Sequence, residues 1–188
     1  MQWMHQLFSF VCGQVNVWNV GGIDLPFCER CTGLYVGGFY ALLLMIVFRP
    51  APGVKLLAVH VLLLLQMAPF GFHLVPHGAI VRTITGESFA FGLAYCLSMG
   101  LLDLVHRGQA LQPQPERARL WRYALAAFIG MPLLLLAIRF GGVATARVLA
   151  ALGLAGLGAY AALTVANLVM APALLWRWMS QRDDLARS

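Results

Sequence analysis

The sequence predicts an all-α integral membrane protein: about five transmembrane helices, preceded by an interfacial amino-terminal helix and a short cysteine-bearing turn. Three observations carry this. Hydrophobic residues make up 61% of the 188 and charged residues only 11%, whereas a soluble domain carries about a quarter charged residues. Apolar runs near the roughly 20 residues a span needs fall at 30–48, 55–73, 87–105, 120–139 and 146–175. Finally, the thirteen Lys and Arg residues flank these runs. They form no basic stripe with interleaved aromatics, so the net charge of +6 predicts membrane flanking and no nucleic-acid partner.

In chain order, residues 1–31 read as an interfacial cysteine-bearing segment, 32–178 as a helical bundle and 179–188 as a polar cytoplasmic tail. Trp3, Met4, Leu7, Phe8, Phe10 and Val11 recur at helical spacing, as in a helix lying on a bilayer. His5, Ser9 and Cys12 share its other face. The start has no basic n-region and no small-residue cleavage site, so no cleaved signal peptide is expected. Val15, Val17 and Val20 before Gly21-Gly22 suggest a short strand and turn that fold Cys12 back toward Cys28 and Cys31.

The first span reaches full length only if its helix starts near the cysteine pair. Gly33, Gly37 and Ala41 give it a small-residue face, and Gly153, Ala155, Gly156 and Ala159 give one to the last span; such faces suit close helix packing, including against partner subunits. The second span ends at Pro69-Phe70-Gly71-Phe72-His73, and His77, Arg82, Thr85, Gly86 and Glu87 after it read as an outward loop. The last run, with Asn167 and Pro172, is over-long for one span. A polar, proline-bearing linker covers 108–119. With five spans, nine of the thirteen cations fall on one side, which places that side in the cytoplasm and the cysteine end outward.

The chemistry concentrates in Cys28-Glu29-Arg30-Cys31-Thr32-Gly33. Two thiols at C-x-x-C spacing chelate a metal or close a disulfide. With Cys12 they make three soft donors, and His5, His73 or His77 could complete the four that zinc takes. Three thiols also suit Cu(I). Arg30 and Arg82 are candidates to offset thiolate charge or hold an anionic ligand, and Glu87 and Tyr35 to support the site. A redox reading rests on the helix amino terminus and Arg30 lowering a thiol pKa, but the second cysteine pair of an electron relay is missing. A third reading makes the cysteines structural, in an accessory subunit of a larger membrane assembly.

The run Gly21-Gly22 through Pro26-Phe27-Cys28-Glu29-Arg30-Cys31-Thr32-Gly33-Leu34-Tyr35-Val36-Gly37 resembles a family of small prokaryotic membrane proteins, domain of unknown function 2085. Cys12, Pro26, Cys28, Arg30, Cys31, Thr32, Gly33, Tyr35 and Gly37 fit its pattern. Arg82-Thr83-Ile84-Thr85-Gly86 resembles a second family feature. The resemblance implies a prokaryotic inner membrane. Where the family has histidine after its first cysteine, this chain has Gly13, so a ligand or base at that position must be replaced here.

Other polar residues have plain explanations. His60 is expected to be satisfied by neighbouring backbone, Cys96 to act as a small hydrophobe, and Asn167 to bridge helices. Asp103, His106 and Arg107 mark a span end. Trp3, Trp18 and Tyr35 fit an interfacial aromatic belt. No Ser/His/Asp set, phosphate loop, dinucleotide fingerprint or H-E-x-x-H occurs.

Overall fold

A computed structural model describes residues 2–50, 53–72, 74–106 and 116–187, with side chains for all of these except 100–106, 116–117 and 173–187. Helix α1, Gln2–Ser9, is amphipathic. It buries Phe8 and leaves Trp3, Leu7 and, just beyond its end, Phe10 exposed, as an interfacial helix should. The chain then forms a hairpin of β1, Val17–Val20, and β2, Ile23–Cys28. Its pairs are Val17 with Cys28, Asn19 with Asp24 and Val20 with Ile23. The two-residue turn needs positive φ at both positions, the geometry that matches strand twist; Gly21 at +59° and Gly22 at +84° supply it.

The first span is continuous from Glu29 to Phe48. It comprises α2, Glu29–Thr32, a π-helical turn, Gly33–Gly37, and α3, Gly38–Phe48. The helix therefore does begin at the cysteine pair. Helices α4, Val54–Leu65, and α5, Met67–Gly71, make the second candidate span. Then come α6, Ala79–His106, α7, Glu116–Phe140, and α8, Val143–Arg187. Among the described residues, four segments are long and apolar enough to cross a membrane: 29–48, 54–71, 118–140 and 143–172. Helix α6 is a further long helix of 28 residues. The all-α membrane architecture is thus the expected one.

The π-turn segment and α3 form the central rod, packed against α6 and α8. A lower core at the cysteine end joins Phe8, Leu25, Phe27, Tyr35, Leu134 and Leu149 to Cys12. An upper core joins Ala41, Met45, Phe91, Tyr95, Tyr123 and Tyr160. Most of the small-residue positions pack inside the chain. A Cβ on Gly33 would strike the Thr83 carbonyl, one on Gly86 the Arg30 carbonyl, and one on Gly156 the Tyr35 carbonyl. Such faces allow backbone-level approach, and here that approach builds the fold. Ala155 and Gly158 stay exposed.

Polar side chains tie the rods together. Tyr160 Oη donates to Ala90 O at 2.7 Å, Tyr40 Oη to Ala126 O at 2.7 Å and Asn167 Nδ2 to Leu97 O at 2.9 Å. Asn167 bridges helices as expected. His60 Nδ1 meets Leu56 O at 2.8 Å, the expected backbone partner, and its Nε2 also meets Tyr123 Oη at 2.9 Å.

Two expectations are corrected. Helix α6 starts at Ala79, so Arg82, Thr85, Gly86 and Glu87 lie inside it and not in a loop. Their polarity misled because protein groups satisfy it in place of water: Thr83 Oγ1 donates to Glu29 O at 3.0 Å, and Arg82 Nη1 pairs with Glu29 Oε2 at 3.0 Å. Tyr35 is no belt residue; it is buried against Phe8 and Phe27, with ring centroids 5.4 and 6.1 Å away. Residues 107–115, including Arg107 and most of the expected linker, lie outside the described residues. Helix α8 runs unbroken past the expected tail boundary at 178.

The crossing of the first span with α6 makes a prediction. Gly86→Ala should destabilise the protein by about 1–3 kcal/mol, the usual cost of overpacking. Gly158→Ala, which meets nothing within 4 Å, should change stability by no more than about 0.5 kcal/mol. Thermal unfolding in detergent micelles reads both; equal loss in the two variants would contradict the packing described.

Candidate metal centre

Three cysteines from two separate segments meet at the mouth of the first span. The donor atoms of Cys12, Cys28 and Cys31 all lie within 4.8 Å of one another, and all three are free thiols. Sequence alone places Cys28 and Cys31 together, since α2 begins at Glu29 and Cys28 caps it. Its Sγ accepts from the Cys31 N–H at 3.5 Å. Thr32 Oγ1 reaches back to Cys28 O at 3.1 Å and closes the turn.

Cys12 arrives by the chain reversal. After α1 the backbone passes through Gln14 and Asn16, both at positive φ, 50° and 58°. That region is uncommon for a residue with a side chain. Gln14 is held there by its own amide: Nε2 donates to His5 O at 2.6 Å and to Pro26 O at 2.9 Å. The Glu29 N–H donates to Asn16 O at 2.9 Å, which ties the other end of the segment to the start of α2. Nothing in the sequence marked Gln14 as this clamp.

Backbone N–H groups surround the Cys12 sulfur. It accepts from Cys28 N at 3.3 Å and from Gln14 N at 3.4 Å. Hydrogen bonds from the Cys28 and Cys31 side chains, then these backbone donors, hold the Cys12 thiol well below the ordinary thiol range, against the opposing effect of burial. The Cys28 thiol is pushed up, chiefly because it shares its proton with Cys12. Donors that favour a charged sulfur over a neutral one lower its pKa. The arrangement therefore favours one thiolate among the three sulfurs. The Tyr35 phenol lies close enough to interact with all three thiols.

The other candidate residues are placed elsewhere. The close donor group contains neither His5 nor His77. His5 contributes its backbone carbonyl to Gln14. His77 Nδ1 donates to Val75 O at 2.6 Å, which leaves Nε2 to accept from Arg30 Nη2 at 3.1 Å. Arg30 Nη2 also donates to Phe70 O at 2.7 Å. Arg82 is engaged by Glu29. Both arginines thus brace α2 against α5 and α6, and their described bonds do not go to the thiols. Glu87 is buried, with its side chain against Gly37. His73 lies outside the described residues. Trp18, expected at the interface, donates its Nε1–H to Thr83 Oγ1 at 2.9 Å. Its indole therefore joins the hairpin to α6.

The comparisons with known proteins agree with this picture at the level of family. Residues 16–96 match the family described as Predicted membrane protein (DUF2085), the family indicated by the signature through Cys28 and Cys31. The matched stretch includes Cys28, Arg30, Cys31, Tyr35, His77, Arg82 and Glu87; Cys12 precedes it. No curated protein and no solved structure matches the chain.

The uneven acidity of the trio is measurable. In reduced, metal-free protein the ultraviolet absorbance of one thiolate should persist well below the ordinary thiol value of about 8.5. Cys12→Ser should remove that absorbance. Absorbance that appears only near the ordinary value would contradict the site as described.

Proposed function

We propose that this multi-pass membrane protein binds a thiophilic metal ion, zinc in the first instance, through Cys12, Cys28 and Cys31. The observation that carries the reading is the mutual approach of three free thiol sulfurs, within 4.8 Å, from segments sixteen residues apart. Zinc–sulfur bonds of about 2.3 Å in a tetrahedron place sulfurs about 3.8 Å apart. The trio needs to contract by only about 1 Å to meet that demand. Water or an incoming donor takes the fourth position. If that position exchanges, the ion can act as a Lewis acid; if a protein side chain closes it, the centre is a structural knuckle. Cu(I), which favours soft sulfur donors, is the competing ion.

The cation split supports an outward-facing cysteine end in a prokaryotic inner membrane. A second reading, thiol–disulfide exchange, has one observation in its favour: the lowered pKa of Cys12 beside two further thiols. The thiolate is the attacking species in such exchange.

Elemental analysis of anaerobically purified protein, paired with a free-thiol count, separates these readings. The metal reading expects about one zinc per chain, lost in Cys28→Ser and Cys31→Ser and retained in Cys96→Ser. Metal-free wild-type protein with two of its thiols joined would transfer the site to the redox or structural reading. Labelling of intact cells with a membrane-impermeant thiol reagent tests the orientation. Metal-stripped protein should react at the cysteine centre from outside, and labelling only after permeabilisation would reverse the topology.

A further inference from the structure

Beside the hairpin, a groove runs between the first turn of α6 and the last turns of α7. It encloses about 700 Å³. Ile80, Val81, Leu135 and Leu136 form its walls, Trp18 closes one side, and Arg139 stands at the rim. Ile80, Leu136 and Phe140 are exposed, so the groove opens outward from the bundle.

Among the described residues, Arg139 is the only charged one lining the groove, and it makes no ion pair with any of them. Helix α6 has no acidic residue in its first turn, so its amino-terminal dipole adds charge of the same sign. The groove therefore pairs a long apolar trough with a positive rim at the level of the interfacial hairpin. That combination complements one kind of molecule, an amphiphile with an acyl chain and an anionic head.

We infer that this groove binds an anionic phospholipid of the leaflet at the cysteine end. One acyl chain lies along Ile80, Val81, Leu135 and Leu136, and the phosphate faces Arg139. A basic residue near a membrane surface favours anionic lipid by about fivefold. The chain-binding trough adds selectivity for a full-length lipid over a soluble phosphate. Seated there, the lipid covers the outer face of Trp18, whose indole N–H already ties the hairpin to α6. Lipid binding therefore braces the strand that pairs with Cys28.

Native mass spectrometry of the purified protein, with dioleoyl phosphatidylglycerol or dioleoyl phosphatidylcholine added, tests this. Wild-type protein should retain phosphatidylglycerol about fivefold better than phosphatidylcholine. Arg139→Gln should erase that preference and Arg139→Lys should keep it, while Leu135→Trp, which fills the trough, should reduce retention of both lipids. Glycerol phosphate should not compete. Equal retention of the two lipids by the wild type, an unchanged preference in Arg139→Gln, or displacement by glycerol phosphate would each overturn the proposal. Arg139 is exposed at a helix end, so its substitutions test the site without disturbing the core.

Discussion

Backbone contact between the first span and α6 is the constraint on which the rest of this structure depends. Gly33 admits the Thr83 carbonyl and Gly86 admits the Arg30 carbonyl, at places where any Cβ would collide. In a bilayer, helices gain little by leaving lipid, so close packing and interhelical hydrogen bonds carry association. The interlock brings Thr83 to the Glu29 carbonyl and Arg82 to the Glu29 carboxylate. Both contacts fix α2, and α2 fixes Cys28 and Cys31. The cysteine pair is therefore held by a rigid crossing even though it lies at a helix end.

Cys12 is held by different physics. A positive-φ path through Gln14 and Asn16 returns the chain, and the Gln14 amide bonds two carbonyls that the reversal brings together. The Gly21-Gly22 turn sets the register that pairs Val17 with Cys28. The Cys28 N–H then points at the Cys12 sulfur. The same donors that hold the sulfur in place also favour its charged form. Position and acidity thus come from one arrangement.

Much of this was legible from residue types. The C-x-x-C pair at the start of a span, the glycine face at Gly33 and Gly37, the turn at Gly21-Gly22 and the interfacial α1 all express local chemistry. The start of α6 was not legible. Arg82, Thr83, Thr85 and Glu87 look like a solvated loop because sequence reports polarity and not its partner; here Glu29 and backbone carbonyls from neighbouring turns replace water. His5 and His77 stand outside the close donor group for a related reason. Nothing in the chain announces that Arg30 occupies His77, and a histidine on the Cys12 face need not aim its ring at the sulfur. Tyr35 looked interfacial because of its place near a helix end, yet the aromatic pair Phe8 and Phe27 draws it into the core.

The central claim is that the three thiols act together as one soft-donor shell. X-ray absorption at the zinc edge, on protein purified anaerobically after growth with zinc, addresses it most directly. The account predicts three sulfur scatterers at about 2.3 Å and one nitrogen or oxygen at about 2.0 Å. A shell with two or fewer sulfurs, or zinc held by nitrogen and oxygen alone, would contradict it.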